Sequence, residues 1–422
     1  MVEQPDFGKR VREIRRARGM SQSDIAGEGI SPSYVSLVES GRRTPSRKAV
    51  LAIADRLGMT PEELSAPQPD EQRRLHRLDL VGRLIAARSC QLSGDWESAL
   101  SHLRDVVQEA TTLGAEEVLW EARWELAATL GRLGDATARE DTLNALLADP
   151  LTKTSPLLHA RVATETAHLL RTSGRLQESA RLCEEALRCT DALDPGMPER
   201  VQAQVSLASV WLEGGDWERA GSLCDRLLRS AADLPAGGPR ATVLWVVAAH
   251  RYVTERPGEA VDLLDRAVAL SPGADAQRVR MLWAAALLNQ AAGRPEAAAS
   301  LLERTRQAVE VIGTPADTPR LAALETLVAL GRGQTAQASD HARRAEAGQD
   351  ALPVTDRARC TLAVARAHRA AGRTEQAETA YKAAAAQYET AGAFRFVAAV
   401  WRELSDPAAS TGGVDPVAVI SP

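Results

Sequence analysis

Phe7, Val11 and Ile14 stand at helical spacing and predict a first helix near Asp6–Arg18, stopped by Gly19. Ser21 is a good N-cap, Asp24 can complete an acidic capping box, and Met20 and Ile25 occupy the two positions of a hydrophobic staple, so a second helix is expected to start there. Ile30, Ser31, Pro32 and Val35 repeat the arrangement for a third helix, which Gly41 ends. A fourth is expected near Ser46–Leu57, and Thr60, Pro61 and Glu63 open a short fifth. The first 66 residues therefore read as a five-helix domain.

Beyond a proline-bearing linker at 67–72, the chain repeats itself to residue 405. Turn positions fall at Gly94, Gly134, Gly174, Gly215, Glu255, Gly293, Gly333 and Gly372, about 40 residues apart. Seven residues before each turn stand Ala87, Ala127, Ala167, Ala208, Ala248, Ala286, Thr326 and Ala365. Seven alanines in eight places point to helices in close approach. Nine residues after each turn the column is Leu103, Leu143, Cys183, Cys224, Leu264, Leu302, Ala342 and Tyr381, mostly apolar. Two units depart from the pattern: Arg139 stands where a small residue should come after the second turn, and Thr326 interrupts the alanines. The tail, 406–422, is rich in Gly, Pro and Ser and is expected to be disordered.

An aromatic share of 4% with abundant Ala, Leu, Arg and Glu favours helices over sheets, so the chain is expected to be all-α. The net charge of −5 does not suggest nucleic acid, but its distribution does, because the first 66 residues are net basic and the remainder net acidic. No apolar run is long enough to span a membrane and the N-terminus lacks a signal-peptide core, so a cytoplasmic location is expected. The five cysteines are scattered, form no CxxC pair, and read as buried small residues in reducing cytosol. Walker, GxGxxG, HExxH and nucleophile motifs are absent, which argues against an enzyme and leaves no catalytic residue, cofactor or metal to assign.

Two short helices joined by Gly27-Glu28-Gly29-Ile30 match a helix-turn-helix whose third helix reads DNA. Its inward positions are Val35 and Val38; its outward positions include Ser33, Tyr34 and Ser36, with Ser31 at the cap. Short hydroxyls at the front of such a helix can approach base edges in the major groove. Arg42, Arg43, Arg47 and Lys48 come next, placed for phosphates. Gly8, Val11, Arg15, Arg18, Gly19, Ser21-Gln22, Ile25-Ala26, Ser31, Tyr34, Ser36, Glu39, Gly41, Pro45, Leu51, Ala54 and Leu57 together make residues 8–64 resemble the XRE family of lambda-repressor-like helix-turn-helix proteins. The resemblance implies that Gln22 contacts the DNA backbone or supports the recognition helix. A homodimer is expected, its two heads reading a roughly palindromic operator with half-sites about one helical turn apart. The connection after Ala26 is one residue shorter than the family's spacing.

The repeats resemble tetratricopeptide repeats in a longer form, which implies a right-handed α-solenoid with first helices lining a concave groove. In that register the groove positions include Arg88, Trp124, Arg161, His168, Trp245, Tyr252, Arg280, Trp283, Arg320 and Arg359. Guanidinium groups and aromatic floors suit an extended or acidic ligand, although the aromatics could equally fill space between helices and the arginines pair with acidic neighbours. Head and repeats together resemble bacterial regulators controlled by signalling peptides, in which groove asparagines often hold the peptide; this chain has only Asn144 and Asn289. The expectation is a transcriptional regulator modulated by a peptide, a small acidic ligand or a protein in the groove. The alternative is a repeat scaffold for protein–protein interaction with the head as docking module.

Overall fold

The computed structural model describes residues 6–27, 29–65, 69–192, 194, 196–271, 276–314 and 316–406. The expected tail after Asp406 and most of the expected linker's start therefore lie outside the described residues. The chain divides into two compact units between Gly82 and Arg83. Among the described residues the regular secondary structure is helical apart from one isolated bridge, and no helix is long and apolar enough to cross a membrane.

The head packs α1 (Asp6–Ala17), α2 (Pro32–Glu39), α3 (Arg47–Arg56) and α4 (Pro61–Ser65) around Phe7, Val11, Ile25, Val35, Val38 and Ile53. Local chemistry sets the starts: Ser31 Oγ accepts the Tyr34 amide at 3.1 Å, and Ser46 Oγ accepts that of Ala49 at 3.3 Å. Thr60 and Glu63 form a reciprocal capping box at 3.1 and 2.8 Å. The expected second helix is instead one turn. Ser21 and Asp24 do form their capping pair, at 3.2 and 2.6 Å, and Ile25 is fully buried. After the cap there are only i→i+3 bonds, from Asp24 and Ala26, before Gly27 and Ile30 exchange backbone bonds at 3.0 and 2.9 Å. The short connection pulls the chain into that bridge before an α-turn can propagate.

α5 (Pro69–Ser93) opens inside the segment read as linker, with proline at the first helical position, where its missing N–H costs nothing. Thereafter helices come in pairs: α5 with α6 (Trp96–Leu113), then α7 (Glu116–Leu133) with α8 (Ala136–Ala148). After the single turn α9 (Pro150–Thr154) come α10 (Pro156–Thr172) with α11 (Leu176–Cys189), and α12 (Pro198–Gly214) with α13 (Trp217–Ser230). The series continues with α14 (Gly238–Val253) and α15 (Pro257–Leu270), then α16 (Ala276–Ala291) and α17 (Pro295–Ile312). It ends with α18 (Asp317–Gly331) and α19 (Thr335–Gly348), α20 (Val354–Ala370) and α21 (Thr374–Thr390), and a closing helix, α22 (Phe394–Ser405).

All eight turn positions adopt the left-handed conformation, with φ between 61° and 82°. Seven are glycines; Glu255 is the one non-glycine residue with positive φ among those described. Both columns around the turn are buried throughout. Thr326 keeps the column by donating its hydroxyl to the Ala322 carbonyl at 2.8 Å. Arg139 is accommodated because Gly131 has no Cβ: one placed there would sit 3.1 Å from the guanidinium carbon.

The array closes on itself. Arg132 donates to the Ile312 carbonyl at 3.3 Å, Arg359 reaches Glu213 at 3.6 Å, and the Arg395 guanidinium lies 4.6 Å from the centre of the Trp217 ring. At Gly174 a Cβ would stand 2.7 Å from the Ala391 Cα. Glu403 secures the last helix, accepting from Arg366 at 2.6 Å, Arg369 at 2.7 Å and the Tyr381 hydroxyl at 2.7 Å. Burial would raise its carboxyl, but the charge and hydrogen bonds of Arg366, with Tyr381 and Arg369, lower it to about 2.

Gly134 and Gly174 share the same φ within a degree, but only Gly174 faces another segment within 4 Å. In chemical denaturation Gly134→Ala should cost about 1 kcal/mol and Gly174→Ala a further 1–3 kcal/mol, roughly. Equal losses would contradict the closure contact. Glu255→Gly should stabilise the array by about 0.5–1 kcal/mol, the strain relieved less the added freedom of the unfolded chain. Loss of stability in the same assay would contradict it.

Candidate functional site

In the head, α2 is positioned from beneath. Val35 and Val38 are fully buried, as the spacing of the apolar residues requires, and Ile30 and Val35 close the hydrophobic staple. At the end of α2, Glu39 points into the domain. It accepts from Arg15 Nε at 2.6 Å and Nη2 at 3.0 Å, and from Gln22 Nε2 at 2.8 Å. Arg15 also donates to the Met20 carbonyl at 2.8 Å. One buried carboxylate thus ties α1 and the Ser21 turn to α2. Burial alone would raise the Glu39 carboxyl; hydrogen bonds from Arg15 and Gln22, then the Arg15 charge, outweigh it and hold the group below its ordinary range. Gln22 thus bonds to the last residue of α2.

On the outer side of α2, Ser33 and Ser36 are exposed and Tyr34 is half-buried. Arg43 lies over the Tyr34 ring at 4.9 Å, which restricts the ring's orientation. Ser31 spends its oxygen on the cap. Arg42, Arg43, Arg47 and Lys48 are all exposed, on the loop after α2 and the first turn of α3. The head thus presents short hydroxyls, one tyrosine and four cations, with the supporting acid turned inward. This is a surface that can meet base edges and phosphates.

In the array, the first helices of consecutive pairs enclose a cavity of 530 Å³, lined by Trp124 on α7, Arg161, Thr164 and His168 on α10, Gln202 on α12 and Arg280 on α16. Trp124 stacks on Trp120 with ring centres 5.9 Å apart, and Arg161 approaches its face at 5.9 Å. Other groove candidates lie elsewhere. Trp245 is fully buried and Tyr252 nearly so; both fill the interior between helices. Trp283 is buried, with its indole N–H on the Arg320 carbonyl at 3.3 Å. Arg88 is held by Glu121 at 2.5 Å and Glu125 at 2.9 Å. Arg320 pairs with Asp356 at 2.6 Å and Asp317 at 3.0 Å, and Arg359 with Asp356 at 2.8 Å. Burial pushes the Cys183, Cys224 and Cys360 thiols up to about 12, which suits packing and not reactivity.

The Helix-turn-helix domain family matches residues 6–66. A 57-residue stretch is 40% identical to HTH-type transcriptional regulator DdrOP3 of Deinococcus deserti, covering 13% of this chain and 44% of that protein. A 68-residue stretch is 34% identical to the uncharacterized HTH-type transcriptional regulator YazB of Bacillus subtilis strain 168, covering 16% of this chain and 99% of that protein. The chain belongs to the HTH-type transcriptional regulators. It spans less than half the length of the first of these relatives. The fold of the regulator is similar to that of a Rap protein complexed with competence and sporulation factor, with a TM-score of 0.57 at 13% identity, over 94% of this chain and 98% of that one. At that identity the likeness is one of fold alone.

Within the regulator's cavity the sequence pattern did not single out Arg139, Glu165, Glu199 and Gln277, which also line it. Arg139 was the available signal, as a charged residue in a column of small ones. For the head, Glu39→Gln should leave Arg15 buried without its counter-charge and cost about 3–5 kcal/mol. Because the folded-state pKa of Glu39 is depressed, its contribution is present above the ordinary carboxylate value of 4.5 and lost as pH falls below it. Protection factors of the α2 amides, taken against the intrinsic exchange rate at each pH, should therefore fall on acidification in the native protein, and be low with a weaker pH response in Glu39→Gln. Indistinguishable profiles would rule out the bracing role.

Proposed function

We propose that this regulator binds an operator in double-stranded DNA as a homodimer, through α2 of each head, in the cytoplasm. A ligand in the groove of the array modulates that binding. The observation that carries the DNA reading is the division of α2 into an exposed hydroxyl face and an inward face locked by the Arg15–Glu39–Gln22 network. Ser33, Tyr34 and Ser36 meet base edges, while Arg42, Arg43, Arg47 and Lys48 meet phosphates. Ser31 caps the helix, Gln22 holds it through Glu39, and both add contacts to the DNA backbone.

The size of the reader argues for a dimer. A helix of eight residues touches only a few base pairs, and at about 1–3 kcal/mol per base pair one half-site discriminates poorly within a genome. Two heads on a two-fold symmetric operator double the reading, with half-sites about one helical turn apart. The groove's role is supported by the cavity of 530 Å³ with its aromatic shelf and arginines, and by the Rap protein of similar fold, which was solved with competence and sporulation factor bound. A ligand there controls DNA binding only by favouring one arrangement of the dimer over another.

Selection of the full chain against randomised duplex DNA tests this. An inverted repeat should be enriched. Ser33→Ala and Tyr34→Ala should then relax preference at individual positions by about 1–3 kcal/mol. Arg42→Ala or Lys48→Ala should weaken all sequences alike and reduce the salt slope by about one. Failure to enrich any sequence, with the same steep salt dependence on every duplex, would contradict operator recognition.

A further inference from the structure

Among the described residues, the arginines on the inner face of the array pair with carboxylates, with one exception. Arg171 meets Glu213 at 2.6 Å, Arg359 meets Asp356 at 2.8 Å and Glu213 at 3.6 Å, and Arg320 meets Asp356 and Asp317. In the cavity wall Arg139 pairs with Glu165, and Arg161 with Glu199 at 3.4 Å. Arg280 is left over. Among the described residues no carboxylate lies within ion-pair distance of it, and it approaches the face of Trp245 at 5.9 Å. Arg280 keeps some exposure to the cavity but is surrounded by protein. That burial, with the charges of Arg171 and Arg320, lowers its pKa to about 10, so it is still a cation at neutral pH. An enclosed guanidinium beside Arg171 and Arg320, which Asp356 and Asp317 offset only in part, and with no acid of its own, costs stability.

Two more donors beside it are unused. The Thr164 hydroxyl is buried with no partner, whereas Thr129, Thr166 and Thr326 of the same array each bond to the carbonyl four residues earlier. The Nδ1 of His168 lies 3.2 Å from the Arg171 guanidinium, which can only donate, so the ring proton sits on Nε2. That N–H has no partner among the described residues. Burial and the charges of Arg171, Arg280 and Arg139 keep the imidazole neutral. Thr164 and His168 are one helical turn apart on α10 and both line the cavity with Arg280.

Arg280 and His168 thus line one cavity with no carboxylate bonded to either among the described residues, and the Thr164 hydroxyl lies unpaired in its wall; the space, at 530 Å³, falls within the roughly 300–1,000 Å³ of small-ligand sites. We propose that the cavity binds a carboxylate of its ligand on Arg280, flanked by Thr164 and His168, with the ligand's apolar body against Trp124, Pro198 and Val201. This sharpens the reading of the groove as a ligand site and rests on it. The carboxylate belongs either to a free organic acid or to the C-terminus of a short peptide. Both present the same planar anion to the guanidinium fork.

Thermal melting of the full chain tests the proposal with four probes: benzoate, methyl benzoate, a free-acid alanyl-phenylalanine dipeptide and its C-terminal amide. The acids should raise Tm and the ester and amide should not; whichever acid is effective identifies the source. Arg280→Gln should abolish the rise and, by removing the unpaired charge, melt at or above the native protein when no probe is present. Arg280→Lys should keep part of the rise, since it retains the charge without the fork. An equal rise with ester or amide would overturn the carboxylate assignment while leaving the groove a ligand site. No rise with any probe, and a lower Tm for Arg280→Gln, would make Arg280 a packing partner of Trp245 and overturn both readings.

Discussion

A carboxylate buried beneath α2 would cost several kcal/mol if nothing received it. In this regulator Arg15 receives Glu39 through two hydrogen bonds and Gln22 through a third. These bonds do more than offset desolvation. They come from separate segments, α1 and the turn after it, so they anchor the end of α2 against the rest of the head. The outward residues are then presented by a rigid element, which is what base-edge contacts require. Arg43 over Tyr34 adds a second restraint on the outer side.

The array solves a different problem with the same economy of means. Each helix pair turns at a left-handed residue and packs through a small side chain, so the pairs stack closely and regularly. There are enough pairs that the chain meets itself, with Gly174 under Ala391 and Glu213 within reach of Arg359. Closure gives the inner face its enclosed character. Charges on it lose much of their water and must find partners in protein or ligand. Most find them on the same helix or in the next repeat, Arg359 also reaches Glu213, and Arg280 meets no carboxylate among the described residues. The cavity is therefore a product of the repeat geometry, and its chemistry is set by which arginines the neighbouring repeats neutralise.

Much of this was legible in the sequence. Ser31, Pro32 and Gly41 bracket α2 by local rules that tertiary structure does not override, and the eight turn positions were visible as a column even where Glu255 replaces glycine. The second helix departs from expectation for a physical reason. Its cap forms as expected, but propagation depends on the residues beyond the cap, and there the Gly27–Ile30 bridge takes the chain. The groove was legible only by face. Repeat register places Trp124, Arg161, His168 and Arg280 on one lining, and the structure brings these together. The same register cannot say that Trp245 is sealed by its neighbours, or that Asp356 of the next repeat occupies Arg320, because those contacts depend on how successive helix pairs pack.

If the head reads DNA through α2, the array should stay clear of the duplex. Hydrogen exchange of the full chain, with and without duplex DNA at low salt, examines this directly. Added protection is expected across residues 31–48, with the amides of α10 to α16 unchanged in the absence of ligand. Protection centred on the array, or none in the head under conditions where DNA is bound, would contradict it.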